Sequence, residues 1–135
     1  MNILVIDGMG GGIGKAIIEK LKAELNNAQV IAVGTNSIAT SAMLKAGADF
    51  GATGENAVIY NASRADCIIG VMGIAFANSM HGEVSPAMAA AVSASTAHKI
   101  LIPTDKCSVT VMGTKPAPVQ EYISEVANKL RAQLT

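Results

Sequence analysis

The stretch "DGMGGGIGKA", Asp7 to Ala16, decides the reading of this chain. It joins an apolar run, "NILVI" (2–6), to a stretch with helical spacing, "KAIIEKLKAEL" (15–25). A short β-branched run ending in Asp-Gly reads as a buried strand. Ile17, Ile18, Leu21 and Leu25 then share one stripe with Lys and Glu opposite, so 13–25 reads as an amphipathic helix. Between them, five of the seven residues from Gly8 to Gly14 are Gly. A tight crossover that binds nothing needs fewer. Gly lets an anion approach the backbone without a Cβ in the way. The helix start adds unpaired N–H groups and a partial positive charge. The stretch therefore reads as a phosphate loop, with Asp7, Gly8, Gly10, Gly11, Gly12, Ile13, Gly14 and Lys15 as candidate contacts. Asp7 complicates this, because a carboxylate repels a pyrophosphate. It could instead hold a ribose hydroxyl, a metal or the loop's own amides.

The rest of the chain repeats the alternation of strand and helix. "QVIAVG" (29–34) reads as a strand and "SIATSAMLKAG" (37–47) as a helix, with Ser37 as N-cap and Gly47 as its stop. "ADFGA" (48–52) is a short third strand, "GENAVIYNAS" (54–63) a short helix and "DCIIGVMG" (66–73) a strand buried on both faces. A long irregular segment, "IAFANSMHGE" (74–83), precedes an Ala-rich helix at 85–97, where Ser85 caps and Pro86 fits the first position. "KILIP" (99–103) and "SVTVMG" (108–113) read as fifth and sixth strands. A last helix runs from Pro118, with Tyr122, Ile123, Val126, Leu130 and Leu134 on one face. Such alternation implies an α/β fold with helices on both faces of a sheet. The expectation is a single three-layer, Rossmann-like, doubly wound domain over 1–135, its mainly parallel sheet having five or six strands.

Spacing narrows what the loop resembles. GxGxxG fails at its third position, which is Ile13. A P-loop fails at Met9, where the first Gly belongs, and at Ala16, where a hydroxyl should meet magnesium. GxxxGxG is met in full by Gly8, Gly12 and Gly14. In this the loop resembles the cofactor loop of short-chain dehydrogenases. "GMGGGIG" is also similar to the phosphate loop of the tubulin and bacterial cell-division GTPases, although there the loop comes later in a longer domain. Both resemblances imply a phosphate at a helix start.

In a doubly wound sheet, ligands sit beyond the carboxyl ends of the strands, where strand order reverses. The residues following the strands are therefore candidates: Thr35 and Asn36 near a ribose, Gly73 and Asn78 facing the ligand. No acid ends the second strand, where NAD's ribose would be held, and no Arg stands there for a 2′-phosphate. NAD or NADP is the expected cofactor type, with a mononucleotide or phosphorylated metabolite also open. The Tyr-x-x-x-Lys pair of a short-chain dehydrogenase is missing, since Tyr60 is followed at that spacing by Arg64 and Tyr122 by Val126. His81 and Asp105 are the candidates for acid/base work. The alternatives are a small enzyme acting on a phosphorylated or carboxylated metabolite, and a non-catalytic interaction subunit.

Composition bounds the partners. Of 135 residues, 50% are hydrophobic and 15% charged, against about 25% charged in an ordinary chain. That sparse charge suggests a homodimer or higher oligomer. Zero net charge and 3% aromatics argue against nucleic acid. Cys67 and Cys107 form no CxxC or Cys/His cluster, so no metal site is expected. No apolar stretch reaches the ~20 residues of a membrane helix, and no charged n-region opens the chain. A soluble, cytoplasmic protein without a membrane partner is expected.

Four blocks, "VIDGMGGGIGKAI", "AVGTNSIATSAMLKAGAD", "GATGENAV" and "ANSMHGEVSPAMA", give the chain a wider likeness. It resembles a family of short bacterial proteins of about this length, common in anaerobic Firmicutes. The resemblance implies a Rossmann-like fold, a nucleotide-binding loop and a cytoplasmic location. It transfers no activity.

Overall fold

Ile3 and Val5 point to one face of the first strand, Leu4 and Ile6 to the other, and all four are buried. A strand apolar on both sides must be covered on both sides, which places it at the centre of a three-layer fold. The computed structural model describes residues 1–104 and 107–134. Its elements are β1 (Asn2–Asp7), α1 (Gly12–Glu24), β2 (Gln29–Gly34), α2 (Ser37–Lys45), β3 (Phe50–Thr53), α3 (Glu55–Ala62), β4 (Cys67–Val71), a 3₁₀ turn (Met72–Ala75), α4 (Pro86–Ala94), β5 (His98–Ile102) and α5 (Val119–Leu134).

The described strands form one parallel sheet in the order β3-β2-β1-β4-β5. β1 pairs with β2 from Asn2↔Gln29 to Asp7↔Gly34, and with β4 from Ile3↔Cys67 to Val5↔Ile69. The chain steps outward from β1 to β3, then crosses back to β4 on the other side. Strand order therefore reverses between β1 and β4. α1, α2 and α5 pack on the Ile3/Val5 face, and α3 and α4 on the Leu4/Ile6 face. On α5 the expected stripe is the one that is buried: Ile123, Val126 and Leu130 face the sheet. Each such side chain contributes about 1.5–3 kcal/mol on full burial.

Two local expectations need correction. α2 is capped by Asn36, not Ser37: the Asn36 Oδ1 accepts from Ala39 N at 2.9 Å. At the other caps the reading holds, with Ser85 Oγ accepting from Met88 N at 3.1 Å and Pro86 opening α4. The second correction concerns 108–113, which forms no strand. Ser108 (φ 59°) and Gly113 (φ 89°) take left-handed backbone that breaks an extended ladder at both ends. The Thr114 N–H and Oγ1 fold back onto the Val111 carbonyl, and Met112 is 89% exposed. "SVTVMG" thus adds no strand beside β5, which stays at the edge of the sheet formed by the described residues.

Candidate functional site

Asp7 ends β1, and its carboxylate is turned into its own loop. Oδ1 accepts from Gly8 N at 2.8 Å and Oδ2 from Gly14 N at 2.7 Å. Of the roles open to Asp7, contact with the loop's own amides is the one these hydrogen bonds fill. Burial pushes this carboxyl above its ordinary value; the two amides oppose that and Glu83 adds to it. By taking the Gly14 amide, Asp7 does the work of an N-cap for α1 from outside the helix.

The glycines divide into two kinds. A Cβ on Gly14 would lie 2.7 Å from Met43 Sδ and 2.8 Å from Asp7 Cβ. Gly11 has φ +76°, and a Cβ there would lie 2.8 Å from Ala39 Cα. A Cβ on Gly8 would lie 2.5 Å from Thr35 Oγ1. These three let the loop close on Asp7, α2 and the end of β2. Gly10 and Gly12 are different, because nothing lies within 4 Å of where their Cβ would stand. The amides divide likewise. Asp7 takes those of Gly8 and Gly14, Glu83 takes Met9, and loop carbonyls take Gly11 and Lys15. Among the described residues nothing accepts from the N–H groups of Gly10, Gly12 and Ile13.

Sequence reasoning places Glu83 beside His81 in the long segment after β4, where catalytic groups often lie, and gives it no contact; in the structure it is the hub of this edge. Its Oε1 accepts from Thr35 Oγ1 at 2.6 Å, Met9 N at 2.8 Å and Asn36 Nδ2 at 2.9 Å. The Thr35 hydroxyl and the Met9 amide hold its carboxyl below the ordinary value; burial opposes them, and Asn36 and His81 add smaller lowering effects. Thr35 and Asn36, expected near a ribose, thus spend their donors on Glu83, and Asn36 also donates to Met9 O at 2.9 Å. Glu83 lies 48 positions from Thr35, so no local spacing announces the contact. The only available signal was two small polar residues ending β2 with no acid beside them.

A cleft of about 1420 Å³ opens at the carboxyl ends of β1, β4 and β5. The glycine loop from Asp7 to Ile13 forms its floor. Gly73, Phe76, Asn78 and His81 line one wall, and Cys107, Val109, Val111, Tyr122 and Ile123 another. The wall after β4 is a tight structure: Asn78, Met80 and His81 all have φ between 57° and 67°. Asn78 N donates to Val84 O at 2.7 Å, and the Ser79 hydroxyl donates to the Gly73 carbonyl. Gly73 and Asn78 are therefore brought to the cleft, as is His81, an exposed imidazole. Lys15 is not; it stands outside the cleft lining and pairs with Glu19 at 4.0 Å. Lys115 supplies a cation to the lining instead. Asp105 lies outside the described residues.

Cys107 is half-buried in the cleft, with Sγ 3.6 Å from Thr104 O. Cys67 is a core residue whose thiol is pushed up to about 11 by burial and Asp66. His98 begins β5 at the opposite edge of the sheet. A smaller depression of about 420 Å³ at that edge, lined by Lys22, Asn27, Gln29 and Asp49, has no glycine loop. No helix among the described residues is long and apolar enough to cross a membrane.

The fold is similar to the crystal structure of a dodecameric FMN-dependent UbiX-like decarboxylase from Escherichia coli O157:H7, with a TM-score of 0.54. The likeness covers 99% of this chain and 94% of that one at 18% identity, so it is a likeness of fold. No curated protein matches the sequence. The match to a family is clear and spans the whole sheet and both helical layers: residues 2–135 match the domain of unknown function DUF3842, and the chain belongs to that family.

Proposed function

We propose that this protein binds a nucleotide-type ligand in the cleft at the β1/β4 switch point. The ligand's phosphate sits on the N–H groups of Gly10, Gly12 and Ile13. One observation carries the reading: these amides have no acceptor among the described residues, and the two glycines face open space beside the cleft. Anions bind where a helix start presents such amides. NAD, NADP and FMN all carry the required phosphate. The fold likeness to an FMN-dependent enzyme supports testing the flavin first. His81 is the side chain placed to move a proton if a reaction follows binding.

Copies of the chain are also proposed to associate. Ile38 (69% exposed), Leu44 and Phe50 (59% exposed) lie on α2 and the edge strand β3, where an unpaired strand invites a partner.

Thermal-shift titration with FMN, NAD, NADP and AMP tests the binding. At a hundredfold excess over Kd, stabilisation is ~2.7 kcal/mol, or about 10 °C at about 4 °C per kcal/mol. Gly12→Asp places a carboxylate where nothing else stands, so it should abolish the shift and leave the unliganded melting point near wild type. If no ligand moves the melting point, or if Gly12→Asp binds as well as wild type, the proposal is wrong.

A further inference from the structure

We infer that the cleft accepts a mononucleotide and excludes a dinucleotide, and that Glu83 is the residue that sets this specificity. The inference rests on the phosphate-loop reading above and names the class of ligand that the loop serves.

A dinucleotide on a doubly wound sheet straddles the switch point, with one half over each side. Its adenosine ribose is held at the end of β2, by an acid that accepts from the hydroxyls. Here the cleft is one-sided. Its described lining comes from residues 7–13 and from residue 71 onward, and none of it from the segments that follow β2 and β3. The missing half is filled by protein. Glu83 is carried over from the β4 side of the switch point, and its Oε1 already receives three donors, Met9 N, Thr35 Oγ1 and Asn36 Nδ2. Asn36 is committed further, its Oδ1 to Ala39 N and its Nδ2 also to Met9 O. The place a ribose would take is thus occupied, and the occupant brings a negative charge toward any second phosphate.

What remains open suits one phosphate and one ring system. The amides without an acceptor among the described residues number three, enough for the oxygens of one phosphate group. From there the cleft runs toward β5 and α5, between Phe76 and the apolar side chains of Val109, Val111 and Ile123. A nucleoside or flavin monophosphate has that shape, with an anion at one end and a flat ring at the other.

The test compares ligands that differ only by an adenylate: FMN against FAD, and nicotinamide mononucleotide against NAD, by calorimetric titration of the full chain. Wild type is expected to bind at least one mononucleotide roughly tenfold or more tightly than its dinucleotide. In Glu83→Ala the vacated subsite should raise dinucleotide affinity and shrink that ratio toward unity. Equal affinity for both members of each pair in wild type overturns the inference, whatever becomes of the variant. So does weaker dinucleotide binding in Glu83→Ala, which would make Glu83 a ribose ligand. If dinucleotides bind well and Gly12→Asp abolishes them, the phosphate loop stands and only the exclusion fails. If no phosphate ester binds, both fall.

Discussion

The two kinds of glycine in the loop predict a steep order of stabilities among four single alanine substitutions. At Gly11 the added Cβ meets backbone, Ala39 Cα at 2.8 Å, and φ is +76°. Left-handed backbone costs about 1–2 kcal/mol for a residue with a Cβ, and overpacking about 1–3 kcal/mol. Gly11→Ala should therefore lose about 2–5 kcal/mol. At Gly14 the neighbours are Met43 Sδ at 2.7 Å and Asp7 Cβ at 2.8 Å. Met43 is flexible and can yield, whereas Asp7 is tied by two amides. Overpacking of about 1–3 kcal/mol is offset by about 0.5–1 kcal/mol from replacing Gly within a helix, so Gly14→Ala should lose about 0–2.5 kcal/mol. Gly10→Ala and Gly12→Ala meet nothing within 4 Å, and should stay within about 0.5 kcal/mol of wild type. At about 4 °C per kcal/mol, thermal unfolding separates Gly11→Ala from Gly10→Ala and Gly12→Ala, with Gly14→Ala between them. The reasoning is refuted if Gly12→Ala falls as far as Gly11→Ala, or if Gly11→Ala melts with wild type.

The acid side of the stability curve carries two opposed contributions. Glu83 is held below its ordinary 4.5, so its stabilisation is complete above that pH and is lost as pH falls through the lower folded-state value. Chemical denaturation of wild type and Glu83→Gln should give a difference that is constant above pH 4.5 and shrinks below it; a flat difference would show that the three hydrogen bonds do not favour the charged form. Asp7 has the opposite sign. Its folded value lies above 3.8, so stability falls as pH rises from 3.8 to that value, and Asp7→Asn should lack this slope. For association, Phe50→Glu puts a charge on the outer edge strand and should shift light scattering toward smaller species. An unchanged mass, or a wild-type monomer, removes the proposed role of that face.

Much of the fold was legible because burial imposes a period. A central parallel strand must be apolar on both faces, and "NILVI" and "CIIGV" are; a surface helix must be apolar on one stripe, and Ile17, Ile18 and Leu21 are. The same logic misled at "SVTVMG", whose alternation suits a strand but whose residues line an open cleft and meet no ladder. At the site, the loop and the residues around Gly73 and Asn78 could be placed from topology alone, since switch-point chemistry follows strand order. Lys15 could not. Two positions beyond Ile13, the last loop residue lining the cleft, the helix has turned by about 200°, enough to take Lys15 out of the cleft to Glu19.

By itself, then, the sequence determined the alternation, the central strand, the stripe on each amphipathic helix and a glycine loop at a helix start. These are local properties, set by periodicity and by what Gly and Asp permit at neighbouring positions. Only the tertiary structure decided which glycines pack and which face the cleft, and that Asp7 turns inward. It alone brought Glu83 across the switch point to Thr35 and Asn36. Those outcomes depend on which loops meet at the carboxyl edge of the sheet. Residues 48 positions apart meet there because strand order reverses between β1 and β4, and that reversal is written in no single segment.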